Sequence, residues 1–489
     1  MRFSVAGNLL GSLLIFIGLA QVFPLIWSIF YEKSDLYAFV ISIITTLVVG
    51  LVLRKITNFK DDISLKESFA FASLSWIFAA GFGALPFYLS GALPSYVDAY
   101  FEAMSGFTTT GATVIENIEV LPHGILFWRS LTHWLGGMGI IALFVAVMPK
   151  LGARGMNLLK AEVPGPISDK VVPRVAETAK ILWIIYILIS ALETILLMLS
   201  GFSLFDALTH TFATMATGGF STKNLSVGAF NNPLAEIIII LFMFIAGGNF
   251  SLYYSLAKRK YKELLYDNEF RFYTFLVVFC IIIVTASLRI FHYNDLFLAL
   301  RKAAFQVISI ITTTGFTTDN FDAWSPLAKG ILFSLMFIGG CGGSTAGAIK
   351  QIRILILIKH SFREIYKMIH PKAVIPLRVG NKVVTEEIVT NILGFMFLYL
   401  TIFVIASLTL ASMGIDLISS LTAVAATLGN VGPGLGMVGP LNTYSPIPDL
   451  GKILLTLMML IGRLEIYTVL VLLLPDYRRY RYRKGFKLF

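Results

Sequence analysis

Four five-residue segments, each with a glycine at its fourth position, decide how this 489-residue chain folds. Aligned on that glycine, they read Thr108-Thr109-Thr110-Gly111-Ala112, Met215-Ala216-Thr217-Gly218-Gly219, Thr312-Thr313-Thr314-Gly315-Phe316 and Gly429-Asn430-Val431-Gly432-Pro433. A single Thr-Gly segment of this kind is usually a turn at the end of a helix. Four copies at matching places between apolar stretches indicate an internal repeat instead.

An aspartate precedes each glycine segment by enough residues to form a short helix. The four aspartates are Asp98, Asp206, Asp295 and Asp416. Because aspartate is a preferred N-cap residue, we expect each of them to cap the short helix that follows it.

The composition is that of an integral membrane protein. Hydrophobic residues make up 57% of the chain and charged residues 14%, and the mean hydropathy is +0.80. Soluble domains carry about 25% charged residues, so a soluble enzyme, a disordered protein and a secreted disulfide scaffold are excluded. Ten stretches are apolar over the roughly 18 residues that a spanning helix needs. They lie near 6–29, 36–53, 68–90, 124–148, 177–200, 233–257, 272–291, 327–357, 387–412 and 450–475.

The basic residues predict the orientation of these helices. Every second connection is basic, and 30 of the 39 Lys and Arg residues lie at the N-terminus, in 54–66, 149–180, 258–271 and 350–382, and in 478–489. The positive-inside rule assigns all of these to the cytoplasm. We therefore predict a multi-pass protein of a bacterial or archaeal cytoplasmic membrane with both termini inside. The aromatic and basic tail is interpreted as an anchor at the membrane lipid rather than a nucleic-acid-binding segment.

These patterns predict an all-α integral membrane protein with ten spanning helices and four re-entrant pore loops. Each repeat contains a helix, a pore loop and a second helix, and the repeats are arranged around a pseudo-fourfold axis behind an extra N-terminal helix pair. The predicted units are the helix pair 1–66, the pore repeats 67–150, 151–260, 261–360 and 361–475, and the basic cytoplasmic tail 476–489.

Glycine and threonine suit a segment that replaces the water around a cation. A ring of backbone carbonyl oxygens can take the place of a hydration shell, as in potassium-channel filters. Glycine permits the backbone dihedral angles that turn such carbonyls towards an axis, and threonine adds hydroxyl groups. Non-helical backbone is tolerated at membrane depth where protein encloses it or where it lines a watery cavity.

The fourfold helix, pore loop, helix unit with these four segments resembles the Trk/Ktr/HKT superfamily of cation uptake proteins, and the extra helix pair makes it similar to the TrkH type. The resemblance implies a potassium pathway, with potassium as the transported ion and no enzymatic activity. It implies a filter at Thr109, Thr110, Gly111, Ala216, Thr217, Gly218, Thr313, Thr314, Gly315, Asn430, Val431 and Gly432. Sodium-preferring plant relatives have serine at the first filter glycine, so Gly111 favours potassium.

A glycine-rich run in the third repeat predicts a break in its second helix. Gly339-Gly340-Cys341-Gly342-Gly343-Ser344-Thr345-Ala346-Gly347 contains five glycines in nine residues, each costing a helix about 1 kcal/mol relative to alanine. Close helix packing through small residues is one interpretation. The resemblance implies the other, an intramembrane loop that closes the pore from the inside.

Arg463 is an arginine within the apolar stretch 450–475, where a charge is costly and functional by default. We expect it to place positive charge below the filter, near the glycine-rich run. The alternative is an ion pair with Glu465 or another carboxylate.

The resemblance also implies a homodimer on a cytosolic ring of TrkA-like nucleotide-binding subunits. The basic inner loops 149–174 and 350–382 are then the docking surface, although topology alone would explain their charge.

Gly434–Gly439 matches a dinucleotide fingerprint, but no predicted strand precedes it, so we expect this chain to bind no nucleotide. The alternative functions are a secondary transporter with a midplane site, a membrane-embedded enzyme, and a sodium-permeable or proton- or sodium-coupled symporter of the same architecture.

Overall fold

The computed structural model describes residues 3–57, 65–139, 175–380 and 382–473. The predicted tail 476–489 and the predicted docking loop 149–174 lie outside the described residues. Within the described part, the chain is helical apart from one short hairpin, four 3-10 turns and the connections between helices.

The predicted N-terminal helix pair consists of three helices, because its first member is divided in two. They are α1 (Phe3–Ala20), α2 (Val22–Phe30) and α3 (Leu36–Ile56), with α2 continuing the path of α1. The backbones of α1 and α3 touch at two glycines, since a Cβ on Gly11 would lie 2.6 Å from the carbonyl oxygen of Gly50. Small residues allow such close antiparallel approach of membrane helices.

Four units of similar order follow. The first comprises α4 (Leu65–Gly83), α5 (Leu85–Leu89), α6 (Tyr96–Phe107) and α7 (His123–Gly137). The second comprises α8 (Val175–Leu199), α9 (Leu204–Met215), α10 (Pro233–Ala246) and α11 (Phe250–Ala257), and the helix α12 (Tyr261–Leu265) leads out of it. The third comprises α13 (Asn268–Phe291), α14 (Leu296–Ile311), α15 (Pro326–Leu335) and α16 (Gln351–Ile369). The antiparallel strands β1 (Arg378–Val379) and β2 (Lys382–Val383) precede the fourth, which comprises α17 (Glu386–Ser412), α18 (Leu417–Leu428), α19 (Asp449–Arg463) and α20 (Tyr467–Leu473).

The shorter helices α6, α9, α14 and α18 occupy the same place in each repeat, immediately before a glycine segment, and we call them the pore helices. In the third and fourth repeats the predicted aspartates cap the helix; these are Asp295 and Asp416. In the first two repeats the prediction is wrong, because Ser95 and Ser203 accept the capping bonds. Asp98 and Asp206 lie in the first helical turn, where a carboxylate also favours the helix N-terminus.

Six helical segments of the described chain are long and apolar enough to cross a membrane. They are Gly7–Phe30, Leu36–Ile56, Glu67–Leu89, Ala179–Leu199, Asn268–Phe291 and Glu386–Ser412. A seventh is present if α10 and α11, which are bent by 98° at their junction, count as one crossing. These segments coincide with seven of the ten predicted spans, and the number of crossings stays a prediction.

In the third and fourth repeats the second predicted span is not one continuous helix. The predicted span 327–357 is interrupted, because α15 ends at Leu335 and helix resumes only at Gln351. The predicted span 450–475 is broken after Arg463, where Glu465 and Ile466 have positive φ angles of 56° and 59°. In the first repeat, α7 ends at Gly137, close to the end of the described segment.

The pore helices lie inside the protein, whereas the long helices also face outwards. In the fourth repeat every residue from Ala423 to Leu428 is buried. By contrast, Leu188 on α8 and Phe397 on α17 are 63% and 70% exposed. Outward apolar side chains of this kind fit contact with lipid, so the core of the protein holds the glycine segments away from the bilayer.

Replacing Gly11 with alanine tests the packing of the leading helices. Gly11→Ala should cost about 1–3 kcal/mol of stability, because the new methyl group would meet backbone atoms of α3 at 2.6 and 2.8 Å. The apparent melting temperature of the purified protein in detergent measures the effect. Gly330→Ala on α15 is the matched control, since its Cβ would meet no atom within 4 Å and alanine favours a helix by about 1 kcal/mol. Equal melting temperatures for the two variants would contradict the close crossing.

Candidate functional site

The four glycine segments share an unusual backbone conformation at two positions. Non-glycine residues rarely adopt positive φ, yet each segment has one, and a positive-φ glycine follows two residues later. The first set is Thr109, Thr217, Thr313 and Asn430, with φ of 55°, 55°, 58° and 54°. The second set is Gly111, Gly219, Gly315 and Gly432, with φ of 78°, 82°, 80° and 97°. The segments therefore have the same fold despite their different sequences.

This conformation corrects the alignment of the second segment by one residue. Gly219, not Gly218, is equivalent to the glycines of the other segments, and Ala216 stands at the end of its pore helix rather than within the segment. The backbone hydrogen bonds agree. The N–H groups of Thr110, Gly218, Thr314 and Val431 each donate to the carbonyl five residues earlier, at 2.7–2.9 Å.

A signal for the correct register was present in the sequence. Two consecutive glycines made both alignments possible for the second segment. A hydroxyl residue stands two positions after the glycine in the first three repeats, as Thr113, Ser221 and Thr317, and only Gly219 fits that spacing.

The four segments form a closed ring. A Cβ on Gly111 would lie 2.1 Å from the carbonyl oxygen of Gly218, one on Gly219 2.0 Å from that of Thr314, and one on Gly315 2.1 Å from that of Val431. The ring closes where a Cβ on Gly432 would lie 2.6 Å from the carbonyl oxygen of Thr110. Each repeat thus contacts the next through equivalent atoms, and only glycine leaves room for the neighbouring carbonyl.

The pore helices add a favourable field for a cation at this ring. All four end where their glycine segments begin, so their C-terminal ends converge on the ring. The C-terminus of a helix carries about half a negative elementary charge. Four such ends stabilise positive charge at the ring without any ionised side chain.

Side-chain oxygens and amides connect and line the ring. The hydroxyl groups of Thr108 and Thr110 lie 2.8 Å apart, and those of Thr312 and Thr314 repeat this pair at 2.8 Å. In the fourth segment Asn430 occupies the position of a threonine, and its Nδ2 donates to Thr110 Oγ1 at 3.0 Å. Asn430, where the fourth segment departs from the Thr-Gly pattern, therefore links this segment to the first.

Two buried oxygens at equivalent positions have no protein donor. Thr109 Oγ1 and Asn430 Oδ1 are buried and accept no hydrogen bond from the described part of the chain. Buried oxygens are normally paired with protein, water or an ion, so these two atoms suit a hydrated or partly dehydrated cation.

A cavity of about 90 Å³ opens at one side of the ring. All four positive-φ glycines line it, together with Arg129, Glu116, Lys223 and Tyr444. A cavity of this size holds water molecules, so it forms the mouth of the ring.

The glycine-rich run of the third repeat lies on the other side of the ring. It is part of the non-helical connection between α15 and α16, which we call the intramembrane loop (336–350). The backbone N–H of Gly347 donates to Thr313 Oγ1 at 2.7 Å, and Thr345 Oγ1 donates to the carbonyl of Met215 at 3.0 Å. A Cβ on Gly347 would also lie 2.8 Å from the Cβ of Asn430. The loop therefore contacts the segments of three repeats.

Arg463 joins this loop to the first repeat. Its Nη1 donates to the carbonyl of Thr345 at 2.8 Å, and its Nη2 donates to the carbonyls of Gly136 and Gly137 at 2.6 and 2.8 Å. Glu465, the alternative partner considered from the sequence, forms an ion pair with Arg353.

A carboxylate that was not predicted from the sequence holds one flank of the loop. Glu269 Oε1 on α13 accepts hydrogen bonds from the N–H groups of Gly342 at 2.7 Å and Ile352 at 2.9 Å. An acidic residue at the start of an apolar stretch was the only signal for it. Among the residues that the structure describes, no group of three or more His, Cys, Asp and Glu could hold a metal ion.

Comparisons with known proteins agree with one another. The family described as "TrkH: Cation transport protein" matches residues 36–477. The Trk system potassium uptake protein TrkH of Escherichia coli K12 is 39% identical, with 98% of this chain and 100% of that protein covered. The protein of the same name from Halomonas elongata is also 39% identical, with coverages of 96% and 98%. The crystal structure of the potassium transporter TrkH from Vibrio parahaemolyticus matches with a TM-score of 0.89 and 36% identity, covering 98% of this chain and 100% of that one.

Alanine at Gly219 tests the corrected register. Gly219→Ala should lower the apparent melting temperature of the purified protein more than the control variant does, because the methyl group would lie 2.0 Å from the Thr314 carbonyl oxygen of the ring and such overpacking costs about 1–3 kcal/mol of stability. Gly201→Ala in the same repeat is the control, since Gly201 also has positive φ, 104°, but no atom within 4 Å of its Cβ. Equal melting temperatures for Gly219→Ala and Gly201→Ala would overturn the register.

Proposed function

The chain belongs to the TrkH family of cation transport proteins, and we propose that it takes up potassium through a selectivity filter formed by the ring of glycine segments. The filter comprises Thr109–Gly111, Thr217–Gly219, Thr313–Gly315 and Asn430–Gly432. The observation that supports this most is the closure of the ring through equivalent carbonyl groups of all four repeats. Such carbonyls replace the hydration shell that an ion loses in the membrane.

Uptake needs no chemical step in this chain. An inside-negative potential supplies about 2.3 kcal/mol per 100 mV for each monovalent cation that enters. Potassium can therefore accumulate by flowing down its electrochemical gradient. The closest alternative is the same architecture carrying sodium, or coupling potassium entry to sodium or protons.

The intramembrane loop and Arg463 form the gate in this proposal. The loop lies against the inner side of the filter, and the guanidinium of Arg463 contributes a positive charge beside it. Both an obstructing backbone and a like charge raise the energy of a cation at this point. Opening requires the loop to leave Thr313 and Met215.

A cytosolic partner would act on the gate through α16, which begins directly after the loop. This helix carries Phe362 and Met368, 69% and 83% exposed, among basic residues of the segment 350–382. Exposed apolar and basic side chains together fit a protein-binding surface. From the family resemblance we propose that a homodimer of this chain docks on a ring of TrkA-like nucleotide-binding subunits here.

Ion flux into liposomes tests the transport function. With an imposed inside-negative potential, we expect rubidium uptake that potassium inhibits and sodium does not. Gly111→Ser should lower the preference for potassium over sodium by about tenfold, because the side chain would meet the Gly218 carbonyl and misplace a ligand of the ion, at a cost of about 1–2 kcal/mol. Gly91→Ser is the matched control, since Gly91 also has positive φ and nothing within 4 Å of its Cβ.

Other outcomes would decide between the alternatives. Sodium flux equal to potassium flux in the unmodified protein would refute potassium selectivity and favour a sodium-permeable pathway. Flux that depends on a proton or sodium gradient rather than on the potential would favour a symporter.

The role of Arg463 is tested in the same liposomes without any cytosolic subunit. Arg463→Ala should increase rubidium flux about tenfold, because the loop loses hydrogen bonds to a charged group, each worth about 1.5–3 kcal/mol, and the pore loses a positive charge. Arg463→Lys should give an intermediate flux, since it keeps the charge but not the three carbonyl contacts. Arg289→Ala, near the C-terminal end of α13, serves as the control. If Arg463→Ala conducts no better than this control, Arg463 is not part of the gate.

A further inference from the structure

A fully buried ion pair lies behind the first two filter segments. Glu102 on the pore helix α6 is 0% exposed and Arg129 on α7 is 1% exposed, with Nε of the arginine 2.8 Å from Oε1 of the glutamate. A buried pair contributes little net stability once the loss of hydration is counted. Its presence beside the filter therefore calls for a role in positioning rather than in stability.

The pair holds the chain that leaves the first filter segment. Glu102 Oε2 accepts a hydrogen bond from the N–H of Val114 at 3.1 Å, and the hydroxyl of Thr113 lies 3.0 Å from both carboxylate oxygens. Arg129 Nη2 also donates to Thr113 Oγ1, at 3.3 Å. Thr113 is two residues beyond Gly111, so these bonds fix where the first filter segment ends.

The same arginine reaches the second repeat. Arg129 Nη1 donates to the carbonyl of Ser221 at 3.1 Å, and its guanidinium carbon lies 4.1 Å from the centre of the Phe220 ring. These two residues directly follow Gly219. The Glu102–Arg129 pair thus connects the chain after Gly111 to the chain after Gly219, and we call this pair the strut.

The other repeats have no carboxylate at the pore-helix position of Glu102. The pore-helix position of Glu102 is occupied by His210, Gln306 and Ala423 in the second, third and fourth repeats. His210 Nε2 lies 2.9 Å from Ser221 Oγ, and Gln306 Nε2 donates to the carbonyl of Phe316 at 3.5 Å. These bonds stay within one repeat, whereas the strut joins two.

We propose that the Glu102–Arg129 strut is a specificity-determining element, which fixes the spacing of the first two filter segments and balances the charge of Arg129 at the filter mouth. The inference rests on the proposed function of the ring as a potassium filter. Discrimination between cations of different size depends on ligand positions and on the field they produce. Because Arg129 lines the mouth cavity, loss of the carboxylate alone would leave an unbalanced positive charge in the path of entering cations.

Three variants distinguish the effect of the ring's spacing on ion selectivity from the effect of charge on total flux. Glu102→Gln, Arg129→Gln and the double variant should each lower the rubidium-to-sodium flux ratio about tenfold, since each loses hydrogen bonds to a charged group. The double variant should be no worse than the more affected single variant, because all three remove the same strut. Absolute rubidium flux should fall most in Glu102→Gln and recover in the double variant, where the net charge is restored.

A further variant tests the strut without a change of charge, so that the proposal can be tested even if the charge variants misfold. Thr113→Val removes the hydroxyl bonds to the strut without changing any charge. We expect it to lower the flux ratio while total cation flux per folded molecule stays near that of the unmodified protein.

Asp98→Asn is the matched control. Asp98 lies on the same pore helix and pairs with Lys452 Nζ at 2.6 Å, but these two side chains are not bonded to a filter segment. We expect it to keep the flux ratio. An unchanged ratio in the strut variants, or an equal loss in Asp98→Asn, would overturn the proposal. If the unmodified protein itself fails to prefer rubidium over sodium, the proposed function fails instead.

Discussion

The structure depends on the need to enclose non-helical backbone inside a membrane protein. In lipid, a peptide group without a hydrogen-bond partner costs several kcal/mol. Here the irregular segments after each pore helix are surrounded by the other repeats. Their N–H groups donate hydrogen bonds to carbonyl groups of their own pore helix. The long outer helices present apolar side chains such as Leu188 and Phe397 outwards. Once the backbone is enclosed in this way, carbonyl groups become available to replace the water around an ion.

The arrangement is fourfold in its backbone but not in its side chains. The positive-φ positions repeat closely in all four segments, whereas the residues that support them differ. Asn430 stands where the other repeats have threonine and binds across to Thr110. The second helix is interrupted differently in the second, third and fourth repeats, and only between α15 and α16 does the described chain form a loop that reaches the glycine segments. In the proposed function, the common backbone coordinates the ion, and the differences between repeats supply cross-links and the gate.

Much of this could be predicted from the sequence, because its strongest signals are local. Apolar length predicted most of the outer helices, and recurrence predicted four equivalent segments. The register of Gly218 and Gly219 could not be decided, because two adjacent glycines satisfy the same pattern and only the backbone conformation distinguishes them. The caps at Ser95 and Ser203 were missed because a serine and an aspartate three residues apart suit the same helix start. Glu269 and the pair Glu102–Arg129 act through contacts between residues distant in sequence, which periodicity and composition do not contain.

The closed ring of four unlike segments has a consequence for how selectivity can change over evolutionary time. In a pore built from four identical subunits, any substitution in the filter appears at four places at once, and its cost is multiplied accordingly. In this single chain a substitution alters one quarter of the ring. In the proposed function, ion preference can therefore change in small steps, with three unchanged quarters keeping the pathway usable while the fourth is modified.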